Sequence, residues 1–142
     1  MSAVCCFGQC LGQSQGVIMT PDAIHITTVP HYLAERSTPD EQNYVFAYTI
    51  TIANKGEKPV TLVSRSWIIT DANGKKVEVA GSGVVGEQPT IVPGTEFTYT
   101  SGVSLATEVG VMEGSYTMRQ KDGQEFDAPI APFRLALPNL IH

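Results

Sequence analysis

The chain has 142 residues, with 9 Lys and Arg against 14 Asp and Glu, a formal charge of -5, 42% hydrophobic and 16% charged residues. That length buries a core without staples, and a mean hydropathy near zero with no long unbroken apolar run excludes a membrane-spanning helix, and with it a channel or pump built of such helices. The acidic balance, with an isoelectric point near 5.0, argues against nucleic acid as a partner, because neutralising phosphates requires clustered Lys and Arg.

Every Lys, Arg, Asp and Glu lies between Asp22 and Arg134, whereas all three cysteines (Cys5, Cys6, Cys10) fall in the first ten positions. Residues 1–18 have no hydrophobic period and lack the basic and apolar stretches of a signal peptide, so they read as a disordered tail ahead of a domain spanning 19–142. Met19 equally suits the start of that domain. Three thiols without a fourth ligand are a weak zinc signal. With no cysteine in the domain there is no disulfide framework, which fits a reducing, cytoplasmic setting.

From Ile24 onward the pattern has period two. Ile24–Val29 reads as a first strand, and His31 follows Pro30 in a loop. Tyr44–Ile52 sets Tyr44, Phe46, Tyr48, Ile50 and Ile52 on one face, the alternation of a half-buried strand. A polar turn from Asn54 to Pro59 leads into Val60–Thr70, which contains the single tryptophan, Trp67. Asn73-Gly74 then predicts a tight hairpin with positive φ angles, returning as Lys75–Ala80. Thr95–Thr100, Val111–Arg119, Glu125–Ile130 and Phe133–Leu137 complete about eight strands. No stretch carries a helical period, and recurrent Pro and Gly forbid a βαβ alternation. The fold class is all-β, a two-sheet antiparallel sandwich of the immunoglobulin or fibronectin type III kind.

Catalytic chemistry is thinly supplied. The histidines are His25, His31 and His142, none within a nucleophile or metal-binding motif, and the carboxylates are too evenly scattered to nominate an acid/base pair. His25 and His31 with Asp22 or Glu35 make at most a weak divalent-metal set, so no metal site and no cofactor is expected. The string Gly81-Ser82-Gly83-Val84-Val85-Gly86 has GxGxxG spacing, but Pro89 and Pro93 follow too soon for the helix of a dinucleotide fold. Two readings remain. Gly81, Ser82, Gly83 and Gly86 form an anion-binding nest of backbone amides for a pyrophosphate or nucleotide, opposed by Glu87 immediately afterwards and assisted by Arg65, Lys75 and Lys76; or the glycines serve a bulge or a close approach of backbone. Trp67 also has two, a core residue between the sheets or an exposed hot spot beside Arg65 that contacts a protein partner.

Five ordered motifs carry a family resemblance: Val45–Ile50, Trp67–Asp71, Gly81–Pro89, Ser101–Leu105 and Gly110–Met118. Together they resemble the bacterial ApaG family from about Ile24 to Leu137. Ser66 departs from the pattern, since many members carry His there. The resemblance implies a fibronectin-type sandwich, no assigned catalytic residues, and a link to cobalt and magnesium resistance or efflux that a chain without a membrane span reaches only indirectly. It also implies a partner-binding role, as for the related domains that end certain F-box proteins and a polymerase-delta-interacting protein. The chain is thus expected to be a non-enzymatic interaction module, with a pyrophosphate or nucleotide sensor at the glycine string as the alternative.

Overall fold

The structure, a computed structural model, describes residues 23–138. The expectations for residues 1–18, the cysteines, Met19 and His142 fall outside that range. Within it the strands are β1 (Ile24–Tyr32), β2 (Tyr44–Asn54), β3 (Val60–Asp71), β4 (Lys76–Ser82), β5 (Thr90–Ile91), β6 (Glu96–Leu105), β7 (Val109–Gln120) and β8 (Glu125–Ala136). Two antiparallel sheets result, β1-β2-β6 facing β4-β3-β7-β8, with the two-residue β5 pairing the end of β3. This is a β-sandwich of the fibronectin type III kind, as the strand pattern predicts.

Alternation places the core. Phe46, Tyr48, Ile50 and Ile52 of β2 are buried, as are Met112, Tyr116 and Met118 of β7. On the opposite face of β2, Thr49 and Thr51 exchange hydroxyl hydrogen bonds with Thr100 and Thr98 of β6 at 2.9 and 3.1 Å. The polar face of that sheet is thereby laced across strands. Trp67 takes the core alternative: it is 2% exposed and stands nearly edge-on to Tyr48, Tyr116 and Phe133. It is therefore not a surface hot spot.

Several local expectations change. Pro30 and His31 belong to β1, because β1 is an edge strand and its outer side needs no amide donor. The two pieces read as Glu125–Ile130 and Phe133–Leu137 are one strand, β8. Pro129 is tolerated at this second edge, and Pro132 sits where the β7–β8 register shifts between Met112 and Gly114. Asn73-Gly74 is not a two-residue turn. Gly74 alone has positive φ (84°), and bonds from the Gly74 amide to the Asp71 carbonyl and from the Asp71 amide to the Lys75 carbonyl define a three-residue loop. Asp71 Oδ1 rigidifies it by accepting from the Asn73 and Lys75 amides.

One buried polar side chain ties the loops at one end of the sandwich. Asn54, fully buried, donates through Nδ2 to the carbonyls of Lys58 and Ile91 and accepts the Gly56 amide on Oδ1. It thus holds the β2–β3 turn and the β5 segment together, with every contact satisfied.

Candidate functional site

The glycine string occupies the connection that leaves β4 at Ser82 and rejoins β3 as β5. Val84 is fully buried and anchors it to the core. Val85 (φ 42°) and Gly86 (φ 81°) form the centre of a two-residue turn closed by reciprocal bonds, each 2.8 Å, between Val84 and Glu87. Positive φ at both central residues is the type I′ requirement, and a β-branched valine meets it under strain. Gly83 (φ 57°) is dictated by space as well, since a Cβ there would lie 2.0 Å from the Glu87 carbonyl oxygen.

These amides are largely committed. Gly83 donates to the Val63 carbonyl, and Val84 and Glu87 bond each other. The string is a hairpin turn in which the Gly83, Val84 and Glu87 amides already have backbone partners.

What converges is the side chain of Arg65. Arg65 pairs with Gly81 across β3 and β4, and the missing side chain at Gly81 leaves the lane along which it lies, with a Cβ there only 3.0 Å from the guanidinium. Its Nη1 donates to the Ser82 and Gly83 carbonyls at 3.0 and 2.8 Å, holding the turn down. The rest of the guanidinium borders a cleft of about 260 Å³ lined by Tyr48, Arg65, Ser82, Val84, Val85, Gly86, Tyr99 and Ser101. Arg65 is the only charged residue of that lining. Lys76, expected with Lys75 beside the turn, lies at the far end of β4, about 17 Å of strand from Gly81, and Lys75 precedes it in the β3–β4 loop.

The tyrosines were not foreseen as site residues, because alternation reads them as core. Tyr48 and Tyr99 are 6% and 7% exposed, and the Tyr99 hydroxyl shares a hydrogen bond with that of Tyr116, fully buried on the opposite sheet. Burial pushes Tyr99 up to about 12, against the hydrogen bond from Tyr116 and the charge of Arg65. Tyr116 is raised further, by burial first and then by the nearness of Tyr99. Both hydroxyls therefore stay protonated at neutral pH. The usable signal was the choice of Tyr over Phe at inward positions, which demands a partner for the hydroxyl.

Other chemistry is dispersed. His25 and His31 are exposed and lie about 20 Å apart along β1, too far to share one ion. Ser66 is exposed on the outer face of its sheet, away from Arg65. Among the described residues no three His, Cys, Asp or Glu side chains cluster as a metal site would need. No described helix is long and apolar enough to cross a membrane.

Comparison with known proteins shows the family. Residues 34–120, which include Tyr48, Arg65, the glycine string, Tyr99 and Tyr116, match the family described as ApaG domain. The chain is 55% identical over 124 residues to Protein ApaG of Shewanella piezotolerans, covering 87% of this chain and 97% of that one. It is 53% identical over 119 residues to Protein ApaG of Ectopseudomonas mendocina, covering 84% and 94%. An X-ray structure solved as a structural genomics target superposes with a TM-score of 0.81 at 50% identity, covering 86% of this chain and 92% of that one. The chain belongs to the ApaG domain family.

Proposed function

We propose that the chain is a non-enzymatic binding module whose small-ligand site is the Arg65 cleft, and that the ligand presents a compact anionic group such as a pyrophosphate or a nucleotide phosphate. The observation that carries this is the lining itself: the Arg65 guanidinium, the tyrosines Tyr48 and Tyr99 and the serines Ser82 and Ser101, with no carboxylate. Such a set donates hydrogen bonds and repels no anion. The anion is held by side chains and not by a nest of glycine amides; the glycines shape the turn and admit Arg65. No pair of groups in the cleft is matched as nucleophile and base, so the module binds and does not turn over. The link to cobalt and magnesium implied by the family resemblance then runs through a partner protein that reads the occupied or empty state.

The test is an amide chemical-shift titration of the full chain with inorganic pyrophosphate and with diadenosine tetraphosphate. Saturable shifts at Ser82–Gly86 and Tyr99–Ser101 are expected, and they should vanish in Arg65→Met, which keeps the aliphatic stem and removes the charge. Shifts that persist unchanged in Arg65→Met, or none at millimolar pyrophosphate, overturn the reading.

A further inference from the structure

The two sheets are unequal, and the inequality falls at one flank. Four strands (β4-β3-β7-β8) face three (β1-β2-β6). Because β1 packs against β8, the shortfall lies opposite β4. The register sets Val79 beside Trp67 and Val77 beside Ile69, so both valines point to the inner face of their sheet. Yet Val77 and Val79 are 46% and 39% exposed where Trp67 is 2%. The inner face of β4 has no strand upon it.

The edge beside it is open too. β6 pairs only with β2, and within the described residues its backbone makes no bond to β4 or to any loop on its other side. Alternate amides and carbonyls of β6 therefore face the flank. Two cavities mark its ends: the Arg65 cleft at Tyr99 and Ser101, and a second of about 200 Å³ between Ile69, Lys75 and Val77 on one side and Ser104 and Leu105 on the other. Between Tyr99 and Leu105 the edge runs for about 20 Å.

We propose that this flank receives one extended peptide segment of a partner protein, added as a strand to β6, with apolar side chains at alternate positions and a carboxylate at each end. The inward row of β4 and the turn before it dictates that pattern: Gly81 beside Arg65, then Val79, Val77 and Lys75, each two residues from the next. Asp71 is the only carboxylate lining either cavity, and it is already engaged by two backbone amides. β6 carries no charge from Phe97 to Leu105. The groove thus holds one cation at each end, Arg65 alone at the first and Lys75 beside Asp71 at the second, and is apolar between; it is complementary to an acidic-ended segment, most strongly at the Arg65 end.

The strand count suggests the occupant. The sheet opposite β4 lacks one strand, and one extended segment bonded to the open edge of β6 would fill that place. A second copy cannot offer its own β6, because its β4 projects past that edge by the same overhang and would collide with this one. This is strand addition, in which main-chain bonds supply affinity and alternate side chains supply selectivity. It rests on the reading of the chain as a binding module, but not on pyrophosphate being a ligand.

The experiment uses the full isotope-labelled chain and a synthetic peptide, acetyl-Glu-Thr-Val-Thr-Val-Thr-Glu-amide. Saturable shifts are expected along Tyr99–Leu105 and Val77–Gly81, with slowed hydrogen exchange of the outward β6 amides. Replacing both peptide valines by serine, or both glutamates by lysine, should weaken binding at least tenfold. Val79→Glu should abolish the peptide shifts and leave the pyrophosphate response of Ser82–Gly86 intact, which separates failure of this proposal from failure of the anion site. Equal binding of the three peptides, or shifts elsewhere on the chain, overturn the proposal. So does protection of the outward β6 amides before any peptide is added, since the chain's own residues or another copy would then already occupy the flank.

Discussion

The hydroxyls of Tyr99 on β6 and Tyr116 on β7 share a hydrogen bond that crosses the core from one sheet to the other. Tyr116 is fully buried and Tyr99 nearly so at the floor of the Arg65 cleft, so each hydroxyl relies on the other and removing one leaves the second short of a partner. Tyr99→Phe and Tyr116→Phe should each cost about 1–3 kcal/mol, while the double variant should cost clearly less than their sum. Urea unfolding of the four proteins measures the coupling, and strict additivity would show the bond to be inert.

The same pair should weaken the fold at alkaline pH. Tyr99 ionises near pH 12 in the folded chain and Tyr116 later, against about 10 when unfolded. Below pH 10 both states hold these protons and stability is flat in them. Between pH 10 and 12 the unfolded chain releases protons that the fold retains, so stability should fall as pH rises. Absorbance at 295 nm should show a late tyrosinate step coinciding with unfolding, and Tyr99→Phe should diminish it.

In the glycine string, neighbouring positions should respond oppositely. Gly83→Val forces a side chain against the Glu87 carbonyl at positive φ, and a loss of about 1–3 kcal/mol is expected. Val85→Asn relieves a β-branched residue from the left-handed region and creates Asn-Gly at the centre of the type I′ turn. It should stabilise by about 0.5–1 kcal/mol. Thermal unfolding reads both, and a destabilised Val85→Asn would assign the exposed valine a packing role.

Asn54→Leu should be the most damaging of these substitutions, at about 3 kcal/mol or more, because the carbonyls of Lys58 and Ile91 and the Gly56 amide lose their partner together. Asn54→Asp separates geometry from charge. It keeps the acceptor for Gly56 and turns two donations into repulsion, so it should fall near the Leu variant.

The long alternating strands were legible because burial on one face writes itself into period two, as in Phe46-Tyr48-Ile50-Ile52. Pairing across the sandwich writes nothing so local. β5 is two residues long and exists only because the end of β3 offers it a free edge. The prolines of β8 read as breaks because a sequence does not say which strands are outermost. Arg65 and the glycine string meet because the β3–β4 register sets Arg65 opposite Gly81. Lys75 and Lys76 were not separable from them until the register placed the turn at the opposite end of β4. Val85, without a glycine's licence for positive φ, gave no warning that it would sit in the middle of a turn.

Of the long edge strands, three carry their own guards against self-pairing: Pro30 on β1, Pro129 and Pro132 on β8, and Lys76 with Glu78 on β4. β6 has neither proline nor charge over most of its length, and its shield is the overhang of β4, which keeps any second sheet at a distance. That shield is only as durable as the β3–β4 hairpin. Fraying of β4, well short of global unfolding, would bare an uncharged, threonine-rich edge of high strand propensity, so aggregation of this chain should begin from a nearly native molecule and follow the opening of one hairpin.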